Sequence, residues 1–294
     1  YGDLAELASQ MPVPDASQLQ LKDSSQFKYI GKGLKSLDLV NMINGQAVYG
    51  QDVTIPNMLY ASLKRAPVMG SKVVSFNAEA AKKVSGVKDV FVIGDNSFPV
   101  TFNALSSVVV VANNTWAAKK ALELVEVEWS KNDYSQYNSK LDAQNKQQMV
   151  EQGKGKKQAN ADKNTPKPAD LTQLQATYTL PYLAHAPMEP PAATAMFNKD
   201  GSCEIWSCVQ SPQAVQQNVA RRVGLKPEQV RVNVTLLGGA FGRKAQPDFV
   251  VEAALIAKQI GQPVKVVWSR EDDIQHSYYH TDSVIHHQAQ ISAT

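Results

Sequence analysis

The segment Leu236-Leu237-Gly238-Gly239-Ala240-Phe241-Gly242-Arg243-Lys244 joins an alternating apolar stretch (Val230, Val232, Val234, Leu236) to a helix-like run over 249–260. Three glycines and an alanine stand within five positions, so the main chain there can approach a bulky ligand without a Cβ in the way at the glycines. Arg243 and Lys244 add positive charge where backbone N–H groups are expected to be free, a combination that suits a phosphate or another anion. Phe241 sits inside the glycine run, where a plain turn rarely spends so large a side chain. The spacing is G-G-x-x-G, which is neither the dinucleotide pattern G-x-G-x-x-G nor the P-loop G-x-x-x-x-G-K-S/T, so nicotinamide and ATP readings lack support. From the loop alone, a simple strand-to-helix turn remains the alternative.

A chain of 294 residues has room for roughly two domains. Its 43% hydrophobic and 19% charged residues are ordinary for a folded protein, and a net charge of +3 with no arginine block argues against nucleic acid. The lysine-dense stretch 154–167 has no aromatics for base stacking and reads as a solvated loop. Cys203 and Cys208 lie at an odd offset on one strand-like segment, so their side chains face apart and two free thiols are expected. His185, His276, His280, His286 and His287 have no cysteine or carboxylate at metal spacing, which disfavours zinc. No apolar run approaches the ~20 residues that cross a bilayer. The start Tyr1-Gly2-Asp3 shows no signal-peptide pattern, and 288–294 alternates like mid-strand sequence. Those ends predict a processed chain or a piece of a longer one.

Along the chain, 1–44 reads as an arm lying over another surface. The stretch 45–130 reads as a compact unit with strands at 47–53, 58–63, 73–76, 87–93, 108–112 and 125–129. Its helices are expected at 78–84, capped by Asn77, and from a Thr115 cap to 124. Gln, Asn, Lys and Asp dominate 131–170, which reads as a polar linker with a helix over 141–150, and a domain boundary is placed there. From 171 to 294, strands are expected at 176–182, 192–197, 204–209, 230–236 and 264–268. Ser211-Pro212 starts a helix that Gly224 ends, and a second helix spans 248–260. The fold class is α+β.

Three further pieces stand out. Gln210 ends a strand just before a helix start, where its amide can face a cleft with donor and acceptor both available. His185-Ala186-Pro187-Met188-Glu189-Pro190 puts a histidine and a carboxylate in a proline-pinned turn, and Arg270-Glu271-Asp272-Asp273 reads as a solvated charged rim. In this order, these elements resemble the large, molybdopterin-binding subunit of the molybdenum hydroxylases, the xanthine dehydrogenase and aldehyde oxidase family. Within it they are most similar to the branch of isoquinoline 1-oxidoreductase β subunits and bacterial membrane-associated aldehyde dehydrogenases.

The resemblance implies an α/β hammerhead domain over 45–130 and the first part of a molybdopterin-binding domain over 171–294. It implies cofactor contacts from Gln210, Gly239, Ala240, Phe241, Gly242 and Arg243, with Gln210 bonding an oxygen on molybdenum and Phe241 beside the metal. The metal would be held by the pterin dithiolene of molybdopterin cytosine dinucleotide and not by side chains. Implied partners are the remainder of the molybdenum subunit, a small [2Fe-2S] subunit and a haem-bearing cytochrome c subunit. The implied reaction is hydroxylation of an aldehyde or N-heterocycle with water-derived oxygen, and the implied location is the periplasm. Ala240 departs from the family's usual third glycine. Ala245 and Gln246 replace a substrate-contacting glutamate of the xanthine-type enzymes, which argues against purines. The family's general-base glutamate lies beyond the matching stretch, so a non-catalytic scaffold that keeps the fold stays open as the alternative.

Overall fold

The computed structural model describes residues 2–94, 100–156 and 171–292. The loop expected over 154–167 therefore lies mostly outside the described residues. Internal contacts divide the chain after Ala47. Before that point stand α1 (Gly2–Ser9) and α2 (Leu39–Ile43), with two short 3-10 turns started by the side chains of Asp15 and Asp23. None of these elements buries a residue of its own, and Leu37 is fully exposed.

The unit from Val48 onward is built around one seven-stranded mixed sheet. In chain order its elements begin with β1 (Leu59–Arg65), β2 (Val73–Asn77), α3 (Glu79–Lys82), β3 (Val87–Ile93), β4 (Ser107–Ala112), α4 (Thr115–Glu123), β5 (Glu126–Trp129) and α5 (Ser139–Glu151). They continue with β6 (Leu171–Leu180), β7 (Ala192–Phe197), β8 (Cys203–Ser207), α6 (Pro212–Val223), β9 (Val230–Val234), α7 (Asp248–Ile260), β10 (Val264–Val267), α8 (Arg270–Gln275) and β11 (Ser283–Ser292). The large sheet runs β3-β4-β1-β10-β7-β8-β9, while β2 pairs with β5 and β6 with β11 in separate antiparallel ribbons.

The stretch 131–170 does not divide two sheets. β1 runs parallel to β10, with Leu59 opposite Val264 and Ala61 opposite Val266, so strands from both sides of it share one sheet. None of its described residues, 131–156, is buried.

β4 shows why the sheet is buried on both faces. Val109 and Val111 join the main core with Leu59, Leu63, Ala193, Ile205 and Phe249. Val108 and Val110, one residue out of phase, join a second core with Val90, Ala81, Ala121 and Val125. Ala253, Ala254 and Ala257 of α7 are fully or almost fully buried, as are Ala192, Ala193 and Ala195 of β7, and such short side chains let helix and sheet pack closely.

Several local expectations need correction. The span 47–53 is not a strand. Tyr49 makes a single bridge to Leu236, and Asp52 then closes a turn by accepting from the Tyr49 N–H at 2.9 Å. Asn114, not Thr115, caps α4 by accepting from Ala117 N–H at 2.8 Å. Asn77 takes the Glu79 N–H at 3.1 Å, one residue ahead of the cap position. Ser211 makes no side-chain cap to α6, although Pro212 does open that helix and Gly224, at φ 73°, ends it.

Candidate functional site

β8 and β9 lie side by side in parallel, so the segments leaving their C-terminal ends emerge together. After β8 the chain passes Cys208, Val209 and Gln210 into α6; after β9 it enters the glycine loop. Neighbouring C-terminal ends of parallel strands are a common place for ligand crevices. The two exits are tied by Thr235 N–H to Ser207 O (3.1 Å), Gln210 N–H to Lys244 O (3.0 Å) and Gly242 N–H to Gln210 Oε1 (3.1 Å).

The last bond fixes the amide of Gln210. Its oxygen faces the loop, which leaves the Nε2 hydrogens as donors, and the residue is exposed. Gly239, Phe241 and Gly242 have φ of 89°, 52° and 96°, while Ala240 between them is outside the left-handed region. Alternation of this kind turns successive N–H groups toward one concave side. Among the described residues, no intrachain hydrogen bond engages the N–H of Gly239, Ala240 or Phe241. Unpaired neighbouring backbone donors fit an anion or an oxygen-rich group. Phe241 projects beside them with 68% of its surface exposed, whereas Ala240 is 8% exposed and its methyl group fits without left-handed strain.

The two cations of the loop do something other than the sequence suggests. Arg243 is fully buried and makes paired hydrogen bonds to Asp248 at 2.9 and 2.7 Å, with its guanidinium over the rings of Trp268 and Tyr278. Lys244 is also fully buried and donates to Glu189 Oε2 at 2.9 Å. Both charges are neutralised inside the protein, because a buried ion requires a partner. Neither is offered to an anion; the free donors are backbone dipoles and the Gln210 amide.

Sequence reading placed Glu189 in a turn but missed its partners. Its Oε2 accepts from Gly238 N–H (3.0 Å) as well as Lys244, and its Oε1 accepts from Gln51 N–H (3.2 Å). Glu189 N–H in turn donates to Gly238 O at 2.8 Å. A Cβ on Gly238 would stand 2.6 Å from the Glu189 Cβ, so this glycine is required by close approach. Arg270 does not form a solvated rim either: it holds Pro187 O and Met188 O at 2.6 and 3.0 Å and Asp273 at 2.6 Å. The only hints were a carboxylate in a proline-pinned turn and an arginine before an acidic run; pairing over such separations leaves no local pattern. His185 completes the neighbourhood. Its Nε2 would be 3.7 Å from a Cβ on Gly242, and its ring packs on His280 at 4.3 Å. Burial, then the His280 and Arg243 charges, hold its pKa below the ordinary histidine range, so the ring is neutral at pH 7.

The cysteines are both free and buried, and burial pushes the Cys203 thiol up to about 12 and raises Cys208 as well. Among the described residues, no group of three or more His, Cys, Asp or Glu side chains could hold a metal ion, and no helix is long and apolar enough to cross a membrane. The unpaired donors of Gly239, Ala240 and Phe241 fit an anionic or oxygen-rich organic group.

The family profile described as "Molybdopterin cofactor-binding domain" matches residues 141–293. The chain belongs to this family, the molybdopterin-binding domain of the xanthine dehydrogenase/aldehyde oxidoreductase large subunits. It is 31% identical to isoquinoline 1-oxidoreductase subunit beta of Brevundimonas diminuta, over 92% of this chain and 34% of that protein. It is 32% identical to the membrane-bound aldehyde dehydrogenase (pyrroloquinoline-quinone) of Gluconacetobacter polyoxogenes, over 92% of this chain and 35% of that one. Its fold resembles the aldehyde oxidoreductase of Desulfovibrio desulfuricans, with a TM-score of 0.64 at 18% identity, covering 86% of this chain and 32% of the other. The chain thus spans about a third of the length of the relatives it matches.

Proposed function

We propose that this chain is part of the catalytic subunit of an oxidoreductase that hydroxylates an aldehyde or an N-heterocycle with oxygen from water, passing electrons to a [2Fe-2S] subunit and on to a cytochrome c. The observation that carries this reading is the run of unpaired N–H groups from Gly239 to Phe241 beside the Gln210 amide. Membership in a molybdopterin-binding family supports it. When bound, molybdenum on the pterin dithiolene supplies the redox chemistry and the Lewis acidity that activates water-derived oxygen.

The chain's own residues hold and orient. The backbone donors of Gly239, Ala240 and Phe241 grip the cofactor, with the turn at Gly242 and Arg243 closing the loop behind them. Gln210 fastens the loop at Gly242 and presents its remaining donors to an oxygen on the metal side. Phe241 forms an apolar wall beside the reacting end and excludes water from that flank. Glu189 and Asp248, the carboxylates bonded to this loop, are both committed to buried ion pairs, so neither is free to act as a general base. This agrees with a base glutamate supplied by the remainder of the subunit. In this reading 45–130 corresponds to the family's α/β hammerhead, and molybdopterin cytosine dinucleotide is the cofactor form. The enzyme works in the periplasm or on the periplasmic face of the inner membrane, a placement supported by the membrane-bound relative.

Elemental analysis and ultraviolet–visible spectra of the intact complex test the proposal. Molybdenum and iron–sulfur absorption are expected together; a complex without molybdenum removes the enzyme reading and favours the scaffold. Gln210→Glu refines the test. A carboxylate can still accept from Gly242 N–H but has lost the donors. Turnover is expected to fall by about 100-fold, the usual effect of deleting one preorganised donor, with molybdenum content unchanged. Wild-type turnover in that variant would remove Gln210 from the reacting centre.

A further inference from the structure

Glu189 stands apart from the surfaces that would touch a cofactor, yet it is bonded to both ends of the loop that would. One carboxylate oxygen takes Gly238 N–H at the loop entrance and Lys244 Nζ at its exit, at 3.0 and 2.9 Å. The other takes Gln51 N–H at 3.2 Å, and Gln51 O in turn receives the Lys265 ammonium at 2.6 Å. Glu189 is 8% exposed and Lys244 fully buried, so water competes poorly for these bonds. Behind the carboxylate, the Arg270 guanidinium grips Pro187 O and Met188 O and holds the turn that carries it. Three segments distant in sequence, 48–53, 185–190 and 236–244, therefore converge on one side chain.

The consequence concerns the span between the bonded ends. Gly238 and Lys244 are held, Gly242 is held by Gln210, and the donors of Gly239, Ala240 and Phe241 are left free. We infer that Glu189 is the positioning residue of the cofactor loop: its carboxylate sets the spacing of the loop's two ends, and thereby the concavity of the three free donors. The inference rests on the proposed cofactor reading of the loop. Outer partners of this kind commonly matter because they fix the groups that make the direct contacts.

The test uses the full subunit purified with its partners, comparing wild type with Glu189→Gln and Glu189→Asp. The glutamine variant removes the charge opposite Lys244 and can fail to fold. The aspartate variant keeps the buried ion pair, since the lysine stem can follow, but withdraws the carboxylate from the rigid Gly238 N–H by one methylene. Molybdenum and pterin content per subunit is expected to fall by about 10- to 100-fold in the aspartate variant, the range typical of lost outer-sphere partners. Hydrogen exchange is expected to rise in the peptide spanning 236–244 while β7 and β10 keep wild-type protection. A folded aspartate variant with wild-type cofactor content and loop exchange overturns the inference. So does a variant in which β7 and β10 lose protection as much as the loop, because the role is then general stability. A wild-type complex without molybdenum sinks the functional proposal instead.

Discussion

Phe241 couples a left-handed backbone, φ 52°, to a ring that is 68% exposed. For a non-glycine residue that conformation costs roughly 1–2 kcal/mol. Strain of this kind gathers where a chain serves a ligand. Arg243, two residues on, has the opposite character: its side chain is buried and secures the loop to the start of α7 through Asp248. Arg243→Met is therefore expected to cost about 3–5 kcal/mol by leaving the 5%-exposed Asp248 unpaired, read as a lowered midpoint in urea unfolding. His276 gives a pH signature. Burial first, then the Arg65 charge, lowers its pKa to about 4, although Asp272 opposes the shift. An unfolded imidazole titrates near 6.5. Between those values the unfolded chain holds a proton that the folded one lacks, so stability is intact above pH 6.5 and is lost as pH falls toward 4. The loss attributable to this residue is about 3 kcal/mol, and His276→Gln should flatten that part of the stability profile between pH 7 and 4.5. Equal slopes in variant and wild type would show that other groups carry the effect.

Among the elements, what was legible in the sequence is what depends on near neighbours. Pro212 and Gly224 bracket α6 as read, and Gly261 ends α7 in a left-handed turn. The strand expected over 108–112 appears as β4, and its burial on both faces matches the unbroken apolar run there. The glycine loop was legible as a strand-to-helix connection, and it does join β9 to α7. The burial of Lys244 was not, since its partner Glu189 lies 55 residues away in the chain; nor was that of Arg243, although its partner Asp248 is only five residues on, because the ring stack of Trp268 and Tyr278 that covers it comes from later sequence. Tyr49 looked like the middle of a strand because a single bridge and a strand share the same alternation. α7 carries the most exacting packing: Ala253, Ala254 and Ile256 are fully inaccessible, and the helix lies against β7. Ala254→Leu is expected to destabilise by about 1–3 kcal/mol through overpacking, measured by thermal unfolding of the intact subunit. An unchanged midpoint would mean that the helix can shift away from the sheet.

Across the unit from Val48 onward, the order of strands in space departs from their order in the chain. β3, β4 and β1 form a neighbouring antiparallel set from closely spaced sequence, but the other edge of β1 belongs to β10. On a ribosome, Leu59 emerges before Val264 and must keep that edge uncovered until Val264 has been made. An apolar strand with open backbone groups is an invitation to wrong pairing. The parallel β1–β10 seam therefore leaves one strand edge of the nascent polypeptide open throughout the synthesis of everything between its two halves, and the sheet closes there only once β10 arrives.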